Sequence, residues 1–410
     1  MGLSINLPRL RANLEELGRI GRDPRGGISR PSFSPADLEA RAWLKERIEA
    51  AGLAYRCDGA GNQFGLLGQG GPAVAAGSHL DTVRNGGAFD GAAGVLAGLE
   101  AVQTIREARL EPALPLAVAS FTDEEGHLAG DFLGSRAFTG TLDRGLLERP
   151  AAAHGAPLAE ALAGAGLSLP GLLGAAAEAF PLTAFLELHV EQGSVLDDEG
   201  IPVGLVDVIS GKRYLACSFQ GQAGHAGTVP LELRRDAFLG LADFALRATR
   251  HVAARHYGSL VTIGQAGLWP GVFSIVPGRA DFTFDFRSRS PETLAALEKE
   301  LPDLAEEVAA GRGLRFESRL LDATTPVTVP ETLLQVLEEA CTARGYARLR
   351  LASGAGHDAQ ILAAKAPTAM IFVPSPDGVS HAPEASVRWD DLEQGANGLL
   401  DALIKLAGAA

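Results

Sequence analysis

PAVAAGSHLDTVRNGGAFDGAAGVLAGLEAVQTIREA (72–108), followed by LPLAVASFTDEEG (114–126), decides the fold. A short apolar run ends in polar residues, a Gly-rich loop follows, and DGAAGVLAGLEAVQTIREA (90–108) has the length and apolar spacing of a helix. A second apolar run then ends in acids. The same pattern returns in TAFLELHVEQG (183–193) and in PTAMIFVPS (367–375), which runs into DGVSHAP. Strands alternating with helices predict an α/β fold with a mostly parallel sheet and helices on both faces. In such sheets ligands bind beyond the carboxyl ends of the strands. Helical spacing also marks 6–20 and 35–52, with Ser34 before Pro35 as a start signal.

The middle of the chain reads differently. KRYLACSFQGQAGHAG (212–227), SLVTIGQAGL (259–268), SIVPGRADFTFDFRSRS (274–290) and LRFESRLLD (314–322) read as strands, and 231–253 and 291–311 as helices. The order β-α-β-β-α-β is that of a ferredoxin-like α+β insert with an antiparallel sheet. This gives a discontinuous first domain, 1–210 and 326–410, and an inserted domain, 211–325.

The totals agree with a large folded protein. The chain has 410 residues, which predicts two or three domains, and 46% of them are apolar, enough for a sizeable core. A net charge of −14 without a basic stripe argues against nucleic acid or an anionic membrane surface as partner. Cys57, Cys217 and Cys341 are odd in number and far apart, as expected of buried small hydrophobes in a reducing compartment. The first twenty residues have no apolar signal-like core, so a cytoplasmic location is expected. ALAGAGLSLPGLLGAAA (161–177) is broken by Pro170 and reads as a small helical excursion, not a membrane span.

The chemistry lies at the strand ends: His79 in GSHLDT, Asp90 in FDGAAG, Glu124 and Glu125 in TDEEG, His189 in ELHVEQG, and His381 in SHAP. Imidazoles and carboxylates together suit divalent ions such as Zn²⁺ or Mn²⁺, and two ions need a bridging group. Asp90, held between Gly-rich turns at the mouth of a helix, suits the bridge. The spacing His79-x-Asp81 lets the acid reach back to the imidazole N–H, although alone it reads first as a capped loop. Adjacent carboxylates repel; by themselves, with Asp123, they read as a solvated acidic loop, but a metal explains their convergence, with Glu125 as ligand and Glu124 as general base for water. Taken singly, His189 and His381 read as core histidines; their company makes them candidate ligands. His225, in QAGHAGT of the insert, is a candidate electrophile reaching over an active site, its own or a partner subunit's. His251 and His256, five residues apart, do not share a helix face. His127 and His154 read as solvated, and His357 as a support for either site or fold.

Taken together these motifs resemble the hydantoinase/carbamoylase-type amidases of the M20 metallopeptidase superfamily: N-carbamoyl-L-amino acid hydrolases, allantoate amidohydrolases and β-ureidopropionases. GGISRPSFS (26–34), GSHLDTVRNGGAFDG (77–91), FLGSRAFTG (132–140), ELHVEQG, GHAGT, RRDA (234–237), SGAGHDA (353–359) and SHAP carry the resemblance over nearly the whole chain. It implies a dinuclear metal-dependent hydrolase whose ions are Zn²⁺ or Mn²⁺, with Co²⁺ or Ni²⁺ as alternatives. His79, Asp90 and His189 match the ligands of one ion, and Asp90, Glu125 and His381 those of the other. Asp81 matches the acid supporting His79, and Glu124 the base that activates a metal-bridging water. Gln192, His225, Arg287 and Gly356 match substrate-binding positions, with Arg287 on a carboxylate. The insert becomes a lid that also forms a homodimer. Ser274 stands where the family usually has Asn, and Val229 and Leu231 where Thr and Met are common. These departures imply a differently shaped N-acyl group and leave an aminoacylase or dipeptidase activity as the alternative. A metal-binding scaffold without activity is disfavoured by the intact ligand set.

Overall fold

The structure is a computed structural model that describes residues 2–142, 144–147 and 157–409. It divides into two compact units: Met1–Asp207, Thr328–Ser353 and His357–Ala410 form the first, and Val208–Val327 with Gly354–Gly356 the second.

The first unit is built on a nine-stranded mixed sheet. Its centre is four adjacent parallel strands in the order Leu116–Phe121, Ala73–His79, Leu182–Val190, Thr368–Val373. Antiparallel strands flank this centre on both sides: Gln63–Leu67 beside Leu116–Phe121, and Val203–Ile209 beside Thr368–Val373. The fold is therefore α/β with a mostly parallel central sheet. The central strands are mostly apolar because both of their faces are covered, and their polar residues, Glu187 and His189 among them, gather toward the carboxyl ends. On one face Val74, Val118, Leu186 and Ile371 pack with the helices Leu7–Leu17, Ala92–Glu107 and Trp389–Ala407. On the other, Phe64, Phe121, Phe138, Phe180 and Phe185 meet largely edge to face. The helix Pro35–Ala50 starts where its capping signal stands, Ser34 accepting from the Asp37 N–H.

The second unit has a five-stranded antiparallel sheet with the path Ala266–Trp269, Arg279–Ser288, Gly211–Gln220, Arg315–Thr324, and Leu260–Thr262 also paired to Arg279–Ser288. Two helices, Ala237–Arg255 and Pro291–Arg312, bury Leu241, Phe244, Ala248, Leu297 and Leu301 against Phe219, Phe282 and Phe284 of that sheet. The first of these helices begins later than the 231–253 read from apolar spacing. Asp236 caps it, accepting from the N–H groups of Phe238 and Leu239, and only a 3₁₀ turn, Leu231–Leu233, precedes it. The strand expected over 274–290 is also two, Ile275–Val276 and Arg279–Ser288. The short one pairs with Gly224–His225 as a separate ribbon.

Among the described residues no single helix is long and apolar enough to cross a membrane. Segment 161–177 overlaps two short helices, Leu158–Gly164 and Leu169–Glu178, bent by 73°. All three cysteines are free, but Cys57 is exposed where burial was expected, since it ends a strand at the sheet edge.

Candidate metal centre

The four central strands run parallel, so their carboxyl ends lie along one edge of the sheet, and each delivers part of the site there. Ala73–His79 ends in His79, and Leu116–Phe121 leads to Glu124 and Glu125. Leu182–Val190 carries His189, and the loop after Thr368–Val373 carries His381. Asp90 comes from the turn that opens the helix Ala92–Glu107.

These side chains meet around Asp90. Its Oδ1 lies 3.1 Å from His189 Nε2 and 3.8 Å from His79 Nε2. Its Oδ2 lies 3.3 Å from His381 Nε2, which is 3.7 Å from Glu125 Oε1. Glu124 Oε2 stands 3.7 Å from His79 Nε2, as near to that ring as Asp90 does. The set divides into His79–Asp90–His189 and Asp90–Glu125–His381, with one carboxylate common to both.

The protonation pattern shows what the pair of clusters accepts. His79 Nδ1 is 2.9 Å from the Asp81 carbonyl oxygen, and His189 Nδ1 is 2.9 Å from that of Val190. A carbonyl only accepts, so each neutral ring carries its hydrogen on Nδ1 and turns the Nε2 lone pair toward Asp90. His189 Nε2 is buried with no hydrogen-bond partner. Lone pairs facing a carboxylate in a buried cluster require a cation, and the donor set fits a divalent ion. Burial disfavours the charged His189 ring, but the Asp90 carboxylate outweighs it and lifts the pKa to about 9. Burial pushes Asp90 up, and its imidazole neighbours hold it well below the usual carboxylate range. Glu124 and Glu125 are both driven well above that range, first by burial and then by the surrounding carboxylates.

The backbone around the site is specialised. Gly91 adopts φ +62°, ψ −48°, and a Cβ there would sit 2.5 Å from three atoms of the His79 ring. Asp123, Gln192 and His381 have positive φ although none is glycine. Such strain persists where surrounding contacts over-determine it, as at binding sites.

Some expectations need correction. The Asp81 carboxylate does not hold the His79 N–H. Its Oδ1 is 3.7 Å from Nδ1, and the short contact is made by its backbone carbonyl. The carboxylate instead receives the N–H groups of Glu124 and Glu125 at 3.4 and 3.2 Å, which fixes the turn that aims both glutamates. His127 is buried rather than solvated, because Asp123 accepts its N–H and folds the turn inward. His154 lies outside the described residues. His357 is buried with its ring edge-to-face with His189, centroids 4.6 Å apart.

Three supporting residues were missed. Glu187 is fully buried, accepting from Ser78 Oγ at 2.7 Å and Ala359 N at 2.8 Å. Its signal was present: two residues before His189 on a strand, it shares that residue's face. Asp358, also fully buried, has its carboxyl raised well above the usual range by burial and by Glu187. Arg30 donates to the carbonyls of Leu80, Leu17 and Ile20, tying down the loop beyond His79. Burial pulls its pKa to about 10.

Gln192 donates from Nε2 to Asp90 Oδ2 at 2.9 Å and lies 3.2 Å from His381 Nε2. The other expected substrate residues belong to the second unit. His225 is exposed, and its Nδ1 accepts the Gly227 N–H at 3.1 Å, leaving its hydrogen on Nε2 as an outward donor. Ser274 is exposed on the same ribbon, its carbonyl accepting from Ala226 N. Arg287 is engaged by Asp285 at 3.0 Å, Tyr214 Oη at 3.0 Å and the Gly354 carbonyl at 3.0 Å, two residues from Gly356.

Comparison with known proteins gives the family. Residues 75–405 match the Peptidase family M20/M25/M40. The chain is 39% identical to an N-carbamoyl-L-amino acid amidohydrolase of Geobacillus stearothermophilus over 97% of this chain and 98% of that one. It is 32% identical to the allantoate amidohydrolase of Escherichia coli K12, over 95% of this chain and 96% of that one. The crystal structure of a hydantoinase/carbamoylase-family amidase from Burkholderia vietnamiensis superimposes with a TM-score of 0.88 at 33% identity, covering 99% and 98% of the two chains. The chain belongs to the M20/M25/M40 peptidase family and, within it, to the hydantoinase/carbamoylase-type amidases, hydrolases of carbon–nitrogen bonds other than peptide bonds.

Proposed function

We propose that this protein hydrolyses the carbamoyl C–N bond of an N-carbamoyl-L-amino acid or a related ureido acid, using two divalent ions, Zn²⁺ or Mn²⁺. The observation that carries the reading is the pair of clusters sharing Asp90, with Glu124 beside them. His79, Asp90 and His189 would hold one ion, and Asp90, Glu125 and His381 the other. When bound, the ions would supply Lewis acidity at the scissile carbonyl and acidify the attacking water. Glu124 takes the proton from the attacking water and returns it to the leaving nitrogen. Its raised proton affinity suits a group that must hold a proton between these steps. His225, donating from Nε2, stabilises the developing oxyanion. Arg287 pairs with the substrate carboxylate, exchanging part of its contact with Asp285, while Gln192, Ser274 and Gly356 shape the acyl site. Hydrolysis of a carbamoyl substrate yields the amino acid, carbon dioxide and ammonia.

The assignment of the second unit as lid and homodimer contact, and of the cytoplasm as location, belongs to the same reading. The test is a panel of N-carbamoyl, N-acetyl and dipeptide substrates on Mn²⁺- or Zn²⁺-loaded protein, with ammonia and amine release measured. Turnover of carbamoyl substrates with ammonia release supports the reading. Cleavage confined to N-acetyl or dipeptide substrates would replace it with an aminoacylase or dipeptidase, and no cleavage with a scaffold.

A further inference from the structure

A second group of metal-ligating side chains lies in the other unit. His251 sits in the last two turns of the helix Ala237–Arg255, and His256 is the residue that ends it. Five positions apart on a continuous helix, they would point about 140° apart. His256 leaves the helix at φ −129°, ψ 57°, which swings its side chain back to that of His251. Both rings then reach Glu300 of the neighbouring helix Pro291–Arg312: His251 Nε2 lies 2.6 Å and His256 Nε2 2.8 Å from the same oxygen, Oε2.

We propose that His251, His256 and Glu300 form an accessory site for one divalent transition-metal ion, Zn²⁺ or Ni²⁺, separate from the catalytic cluster. Two imidazoles and a carboxylate match the ligand preference of such ions. A tetrahedral ion at about 2.0 Å from each ligand needs ligand atoms about 3.3 Å apart. The two separations from Glu300 Oε2 reach that by a small side-chain opening, and all three ligand atoms already lie within 4.8 Å of one another. The side chains are 19%, 13% and 35% exposed, which leaves a face for water as the fourth ligand. The frame is rigid, because Ala248 and Val252 of one helix and Leu297 and Leu301 of the other are buried in one core. The carbonyl end of a 19-residue helix adds a favourable field for a cation. Bound there, an ion would pin the end of one helix to its neighbour.

The experiment is equilibrium dialysis of the full-length, metal-loaded protein against graded free Zn²⁺, with metal per chain measured by mass spectrometry. Wild type is compared with Glu300→Gln and with His251→Ala/His256→Ala. The proposal expects both variants to hold one ion fewer per chain at the same free Zn²⁺ while hydrolysis is unchanged. Co²⁺ loading should likewise lose one tetrahedral absorption component in the variants. Equal metal content in wild type and both variants overturns it, as does a loss in the histidine variant without one in Glu300→Gln. The readout is stoichiometry, so it stands or falls independently of which substrate the catalytic cluster cleaves.

Discussion

Replacing Gly91 by Ala should damage the metal centre although no candidate ligand is itself substituted. Gly91 is the centre of a γ-turn closed by the Ala92 N–H on the Asp90 carbonyl at 2.6 Å, with φ +62° and ψ −48°. An L-residue held there costs about 1–3 kcal/mol. The added Cβ also stands 2.5 Å from His79 Cδ2, Cε1 and Nε2, whereas ordinary contact begins at 3.4 Å. The ring must therefore recede by about 0.9 Å, and its Nδ1 bond to the Asp81 carbonyl resists, at about 1 kcal/mol. The expected loss is about 2–4 kcal/mol of unfolding free energy in metal-free protein. A displacement near 1 Å should also lower turnover about 100-fold. Urea unfolding, metal content and ammonia release measure the three effects. In a His79→Ala background the steric part vanishes, and Gly91→Ala should then cost only the turn strain of about 1–3 kcal/mol. A Gly91→Ala protein within about 0.5 kcal/mol of wild type, with full metal content, would refute the reasoning.

Glu124→Gln should retain its metal and lose about 10²–10⁴-fold in turnover, and near-normal turnover would remove Glu124 as the base. Arg287→Lys should raise KM for carboxylate substrates by about 10- to 100-fold with kcat less affected, because an ammonium cannot reproduce the planar fork; an unchanged KM in steady-state kinetics would exclude the carboxylate contact. Metal-free protein should lose stability as pH rises. Burial raises Asp123 to about 8 and Asp90 lifts His189 to about 9, so between their unfolded values, near 4 and 6.5, and these folded ones the native state holds more protons than the unfolded chain. Urea midpoints of chelated protein from pH 5 to 9 should fall, and a metal-loaded sample should fall less; a midpoint rising with pH would contradict this.

Much of the site was legible because each element announces itself locally. The run from Ala73 to His79 is apolar because both faces of its strand are covered, and it ends in polar residues because the chain there leaves the sheet. The Ser34 cap and the Gly-rich turn at Asp90–Gly91 are equally local. Arg30 and Asp358 were not legible, since a charged residue in a polar loop gives no sign of being fully buried. The carboxylate of Asp81 was assigned to His79 by spacing, but backbone direction sends it to the N–H groups of Glu124 and Glu125. His251 and His256 were separated by helical arithmetic, which fails where the helix ends at His256.

The sequence by itself determined the alternation of strands and helices, the insertion of an antiparallel unit, and the residue types able to hold divalent ions, since these follow from periodicity, capping and donor chemistry within a few residues. Only the tertiary structure decided which atoms meet. Four parallel strands bring residues separated by up to about three hundred positions to one edge, and two backbone carbonyls turn the His79 and His189 lone pairs onto Asp90. Those distances depend on register and side-chain direction, which no local pattern encodes.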